Sequence, residues 1–329
     1  MNDKGCLPRL SLGCLGGTVS MQAGLPGTGV TPQLGGNALL AGVPQVAALA
    51  EISTVTLGLL PSASLTCRIL LDVLAWARGE VERGAQAVVL TQGTDTLEES
   101  AYFFDLLWPF DIPLVMTGAM RSASQPGHDG PANLMAAVQV ALAGESHGRG
   151  VLVVLNDQIH LAAHVRKTAS LAMAAFESPG RGLEGSVVEG QVIYRGPPAP
   201  RKVLPLPKHC EQRVALLEAC LDADSALLQV IPSLGYEGLV VAGFGAGHVS
   251  IAWSQALARI AQDMPVIVAT RTGYGPTARA TYGFVGAEID LQSKGVHMGG
   301  PLCPRKCRTL LWLLIGLDNQ AALADWLAR

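Results

Sequence analysis

The feature that most constrains this chain is a recurring short apolar run that stops at a glycine or a small polar residue. Such runs occur at Leu10–Cys14, Ala87–Thr91, Leu114–Thr117, Val151–Asn156, Leu239–Gly243 and Val266–Thr270. Unbroken apolar runs this short suit strands buried on both faces, as in a parallel sheet. The stretches between them carry helix start signals. Thr96 precedes Glu99 in capping-box spacing, with Leu97, Ala101 and Phe104 on one face. Asp129 stands where an N-cap belongs, ahead of Gly130-Pro131 and a run towards Leu142. Strands alternating with helices predict an α/β chain built on a doubly wound, mostly parallel sheet.

The segment Tyr194–His209 holds five prolines and has no periodicity, as an interdomain connection does. At about 150 residues per domain, 329 residues make two domains. The reading is a larger N-terminal catalytic α/β domain over 1–193, a linker over 194–210 and a smaller C-terminal α/β domain over 211–329. Arg308–Leu317 and Ala321–Leu327 are expected to close the chain as helices.

Charged residues make up 15% of the chain and the net charge is −3, so no single-sign field recruits nucleic acid or an acidic membrane surface. A small-molecule partner is expected. The opening MNDKGCLPRL lacks the apolar core of a secretory signal, and no run reaches the roughly 18 apolar residues of a membrane span, which makes the cytoplasm the expected compartment. Seven scattered cysteines, an odd number, suit reduced thiols better than a disulfide framework. Cys303 and Cys307, with His297 upstream, lack the second ligand pair that a zinc site needs.

In an open α/β sheet, ligands bind beyond the carboxyl ends of the strands. Two strand ends there carry chemistry. The first runs into Gly16-Gly17-Thr18, where glycines admit close backbone approach and Thr18 offers a hydroxyl. The second is Thr91-Gln92-Gly93-Thr94-Asp95-Thr96, which sets a hydroxyl beside a carboxylate at a helix start. Taken alone, Gly-Gly-Thr is common in turns, and Asp95 or Thr96 can be a simple cap.

Taken with their surroundings, these residues resemble the bacterial L-asparaginase/glutaminase family. The second signature continues through Glu98-Glu99-Ser100-Ala101-Tyr102-Phe103. Gly118-Ala119-Met120-Arg121, Asp129-Gly130-Pro131-Ala132-Asn133-Leu134, Gly150–Asp157 and Arg166-Lys167-Thr168 match further on. Several ordered signatures are far harder to meet by chance than one glycine-rich loop. The resemblance implies an amidohydrolase that converts L-asparagine to L-aspartate and ammonia without metal or organic cofactor. Thr18 is then the nucleophile, and Thr94, Asp95 and Lys167 form a second catalytic group. A threonine hydroxyl needs a nearby base, and lysine can serve as one.

Substrate contacts implied by the resemblance fall on Gly17, Ser62 for the α-carboxylate, Asp95 for the α-ammonium and the carbonyl of Ala119 for the side-chain amide. Backbone donors near Thr94 face the oxyanion. Ser64 is the alternative to Ser62, and either serine can instead cap the helix after Thr66. Glu288 is the candidate for an acidic residue lent by a neighbouring subunit, and a tetramer built from tight dimers is implied. L-Glutamine is an alternative substrate, because a pocket discriminates one methylene weakly.

One departure stands out. Well-studied members carry a tyrosine on a flexible lid, and here the lid, Met21–Gly36, has none, although Gly24, Gly27, Gly29, Gly35 and Gly36 suit mobility. A rival reading is therefore a non-catalytic amino-acid sensor on the same fold. An amidotransferase component would need an RNA-binding region, and no basic patch is present. Gly243-Phe244-Gly245-Ala246-Gly247 resembles a dinucleotide turn, but Asp263 lies before the next strand rather than at its far end. His160 and His164 have metal-like spacing without an intervening HExxH glutamate and are expected in a loop near Lys167.

Overall fold

The computed structural model describes residues 7–24 and 29–328. The chain divides into two compact units, Met1–Leu204 and Pro205–Arg329. In the first unit, the strands β1 (Arg9–Gly16), β2 (Glu51–Leu60), β3 (Ala87–Thr91), β4 (Leu114–Thr117), β5 (Val151–Leu155), β6 (Gln158–Leu161), β7 (Gly185–Val188) and β8 (Gln191–Tyr194) form one sheet. Their spatial order is β8-β7-β6-β5-β4-β3-β1-β2. Strands β1 to β5 run parallel, and β6, β7 and β8 complete one edge in antiparallel pairing.

Alternation along the strands decides which helix covers which face. Leu10, Leu12 and Cys14 of β1 and Val89 of β3 share a core with Leu134, Ala137, Val138 and Ala141 from the helix Gly130–Leu142. The intervening Gly13 faces the helix Cys67–Glu82, so closely that a Cβ there would lie 2.7 Å from the Trp76 ring. That helix starts at Thr66, whose Oγ1 accepts from Ile69 N at 3.3 Å, and it buries Leu70, Val73, Leu74 and Ala77 at helical spacing. Helices thus lie on both faces, as a doubly wound sheet requires.

From β1 the chain passes to β2 on one side and then returns to β3 on the other. The carboxyl ends of β1 and β3 therefore flank the point where the winding reverses, the place such sheets reserve for ligands.

The proline-rich connection is fastened at both ends. Tyr194 completes β8, Arg201 Nη2 pairs with Asp105 Oδ1 at 2.8 Å, and Leu204 N donates to Leu106 O at 2.7 Å, all within the first unit. Lys208 N donates to Gly316 O at 2.7 Å within the second.

The second unit has a parallel sheet ordered Val214–Glu218, Gly238–Gly243, Val266–Thr270 and His297–Met298. The helix Ile251–Ile260 packs Trp253, Ala256, Leu257 and Ile260 onto Leu239, Val241 and Val268. The other face carries the helix Pro304–Gly316, with Leu311 2.8 Å from where a Cβ on Gly238 would stand. The expected last helix is a 3-10 turn, Gln320–Ala322, followed by the helix Leu323–Leu327. Among the described residues, no helix is long and apolar enough to cross a membrane.

Candidate active site

The first strand hands over to the site through two glycines. Gly17 has φ 81° and donates its N–H to Leu60 O at 3.1 Å, after which Thr18–Ser20 make a single 3-10 turn. A Cβ on Gly17 would sit 2.1 Å from the backbone N and Cα of Gly93. Only glycine satisfies both the positive φ and that approach. The turn after β1 is thereby pressed against the turn after β3, and Thr18 sits half-buried beside the contact.

The turn after β3 continues the strand ladder, with Gln92 N donating to Thr117 O at 3.0 Å, and then buries Thr94. The helix Leu97–Leu107 follows. Thr96 occupies its N-cap position without capping it. Its hydroxyl donates to Ser62 O at 3.0 Å, which overturns the capping-box reading and ties the β3 turn to the 3-10 turn Ser62–Ser64. Ser62 is buried, and its Oγ lies 2.8 Å from where a Cβ on Gly93 would stand, with no hydrogen-bond partner among the described residues. An unpaired buried hydroxyl costs about 1–3 kcal/mol, so Ser62 Oγ has a hydrogen bond still to offer at this crevice. Ser64 is exposed, and the helix after it is capped by Thr66 instead of either serine.

Lys167 arrives from a distant stretch of chain. It belongs to the two-residue strand Arg166–Lys167, paired antiparallel with Phe176–Glu177. Its Nζ donates to Thr94 Oγ1 at 2.9 Å and to Asp95 Oδ1 at 2.7 Å. The Lys167 side chain is 14% exposed and that of Asp95 is 70% exposed, so the lysine is enclosed while the carboxylate keeps an open side.

Ala119 is buried in the loop after β4. Asp129 shapes this loop. Rather than capping the following helix, its carboxylate accepts from Met120 N, Arg121 N and Asn133 Nδ2, each at 2.9 Å. Asn133 Nδ2 also donates to Gly118 O at 3.0 Å, and its Oδ1 accepts from Asn156 N at 2.8 Å. A Cβ on Gly130 would lie 3.1 Å from Val19 and 3.7 Å from the Ala119 Cβ, which brings Ala119 close to the neighbour of Thr18.

Residues 9–200 match the family described as Asparaginase, N-terminal, and residues 213–325 match the Glutaminase/Asparaginase C-terminal domain. The chain belongs to the asparaginase family. It is similar to a probable periplasmic L-asparaginase of Haemophilus influenzae, at 34% identity over 94% of this chain and 89% of the relative. A probable L-asparaginase of Deinococcus radiodurans is 35% identical over 94% of each. The crystal structure of a probable cytoplasmic L-asparaginase from Campylobacter jejuni superposes with a TM-score of 0.87 at 29% identity, covering 98% of this chain and 99% of that one.

Glu288 is the residue expected to be lent to a neighbouring subunit. It lies in the second unit, has no exposed surface, and accepts from Thr281 N and Tyr282 N at 2.6 Å and from His248 Nε2 at 3.3 Å. Burial pushes its carboxyl up, but the Tyr282 and Thr281 N–H groups and His248 outweigh that and hold it below the usual carboxylate range. Within this chain the carboxylate holds the loop that precedes its helix. His160 differs from expectation. It sits wholly buried in β6, with Nδ1 2.9 Å from Ser178 Oγ.

In the asparaginase fold of this chain, the lid begins as a hairpin of Met21–Ala23 with Val30–Pro32. Gly27 lies outside the described residues, and Gly29 alone of the other four lid glycines has a positive φ. Among the described residues, Cys303, Cys307 and His297 do not form a metal cluster. Gly93 was legible only as part of the second signature, since its approach to Gly17 is non-local.

Proposed function

We propose that the protein hydrolyses the side-chain amide of L-asparagine to L-aspartate and ammonia through an acyl ester on Thr18. The observation that carries this reading is the contact of Lys167 Nζ with Thr94 Oγ1 and Asp95 Oδ1, at a turn whose Gly93 abuts Gly17. Because Thr94 Oγ1 accepts from Lys167, its own proton points elsewhere and can be donated to the reacting group. In acylation, Thr18 Oγ bonds to the amide carbon, the C–N bond breaks, and the nitrogen leaves as ammonia with the proton from Thr18, relayed through Thr94 and Lys167. In deacylation, water splits the ester, leaving its hydroxyl on the acid and returning a proton to Thr18. Backbone N–H groups near Thr94 face the developing oxyanion.

Ser62 Oγ receives the α-carboxylate with Gly17 lining the pocket, the open side of Asp95 receives the α-ammonium, and the Ala119 carbonyl accepts from the amide. The buried, unpaired Ser62 hydroxyl and the exposed Asp95 carboxylate support these assignments. The family also implies a homotetramer. The exposed apolar side chains Tyr282, Phe284, Val285 and Ile289 in the second unit support burial of that face against another copy, which light scattering checks by mass. Cytoplasmic residence is supported by the dispersed thiols and by the Campylobacter relative, and fractionation of the native host checks it.

Ammonia release measured with L-asparagine, L-glutamine and their D-isomers tests the reading. L-Asparagine is expected to be turned over fastest, with L-glutamine slower by about 10–200-fold, the usual worth of one methylene. The lid without tyrosine favours one rival, the amino-acid sensor. Tight binding of L-asparagine with no ammonia release would establish it.

A further inference from the structure

We infer that Glu98 is the positioning residue that sets Lys167 on Thr94. This rests on Thr94, Asp95 and Lys167 being the second catalytic group.

Lys167 is poorly anchored by its own hairpin. Its strand is two residues long, and so short a ladder is marginal by itself. Its side chain is a flexible four-carbon stem with many rotamers. Yet Nζ is held within hydrogen-bond distance of two acceptors 72 and 73 residues away in sequence. The second anchor is at the backbone. Lys167 N donates to Glu98 Oε2 at 2.5 Å, and Glu98 is 1% exposed.

Glu98 lies in the first turn of the helix Leu97–Leu107, where the helix dipole favours a carboxylate. Thr94 and Asp95 immediately precede the same helix. One five-residue segment, 94–98, therefore grips both ends of Lys167, with Glu98 on the main-chain N–H and Thr94 and Asp95 on the ammonium. The span between the two grips fixes where Nζ stands, so the lysine moves with the threonine it serves. A displacement of 1 Å in such a group costs catalysis about 10²-fold.

Kinetics of Glu98→Ala, Glu98→Gln, Lys167→Met and the Glu98→Ala/Lys167→Met double variant test the inference. Glu98→Ala is expected to lower kcat by about 10²-fold with KM little changed, since Lys167 is displaced but the substrate contacts stay. Glu98→Gln keeps an acceptor for Lys167 N–H and is expected to restore kcat to within about tenfold of the parent. If Glu98 acts through Lys167, the double variant is no slower than Lys167→Met alone. Full kcat in Glu98→Ala, or a loss that multiplies on top of Lys167→Met, would overturn the proposal. Should Glu98→Ala fail to fold, Glu98→Gln decides it in the same cycle: any kcat loss must vanish in the Lys167→Met background, and a loss that persists refutes it. Unchanged activity in Lys167→Met would instead show that the catalytic group itself is misassigned.

Discussion

Lys167→Met is expected to lower kcat by about 10³-fold, within the range that general acid–base catalysis contributes. Methionine keeps the volume of the stem, so the packing around a side chain that is 14% exposed changes little. Asp95 loses its partner at 70% exposure, where water takes over, so no buried charge is stranded. What disappears is the donor to Thr94 Oγ1 and with it the proton path between Thr18 and the departing nitrogen. KM for L-asparagine should move only a few-fold, because Ser62, Gly17 and Ala119 remain. Steady-state kinetics with a thermal melt separate this from unfolding. A fall in kcat of less than tenfold in a folded variant would remove Lys167 from the chemistry.

The second large effect is on stability. Arg149 is buried, with Nε donating to Glu145 O at 2.7 Å, Nη2 to Gly196 O at 2.6 Å, and Nη1 paired with Glu184. Its guanidinium lies 3.7 Å from the centroid of the Tyr194 ring. Tyr194 in turn shares a hydrogen bond of 2.6 Å with Ser146 Oγ, and burial pushes its phenol up to about 12, so it stays neutral. This one side chain ties the antiparallel edge of the sheet, through β8, to the turn before β5. Arg149→Ala leaves the Glu184 carboxylate and two carbonyls without their donor. Breaking a buried pair from one side costs about 3–5 kcal/mol. In a unit of this size that corresponds to a melting temperature lower by roughly 10 °C. A shift under about 2 °C by calorimetry would mean the network contributes little.

Sequence reading points to this candidate site because the rule behind it is topological. Ligands bind beyond strand ends, and all the apolar runs chosen as strands proved to be strands. Strand β2 escaped that pattern. As an edge strand it mixes Ser53, Thr54 and Thr56 with half-exposed apolar residues, so no buried run marks it. The two cap residues were placed correctly at helix starts, but their side chains were misread. Thr96 donates to Ser62 and Asp129 gathers the Gly118–Arg121 loop, and such non-local partners leave no trace in local spacing. Glu288 is a further case. Its place in the site was legible only through the resemblance, and within this chain its carboxylate accepts from Thr281 N, Tyr282 N and His248 Nε2. The absence of a tyrosine from Met21–Gly36 was plain in the sequence, and the proposed mechanism assigns service of the nucleophile to the Thr94–Lys167 group.

The most direct measurement is ammonia release from L-asparagine by the purified protein and by Thr18→Ala, at matched folded concentration. Thr18 is half-buried on a short turn, so alanine preserves the backbone while removing one methyl and the hydroxyl proposed to form the ester. Release by the parent and a loss of more than about 10⁴-fold in the variant is the predicted result, as for removal of a covalent nucleophile. Equal release by both would contradict the acyl-threonine account.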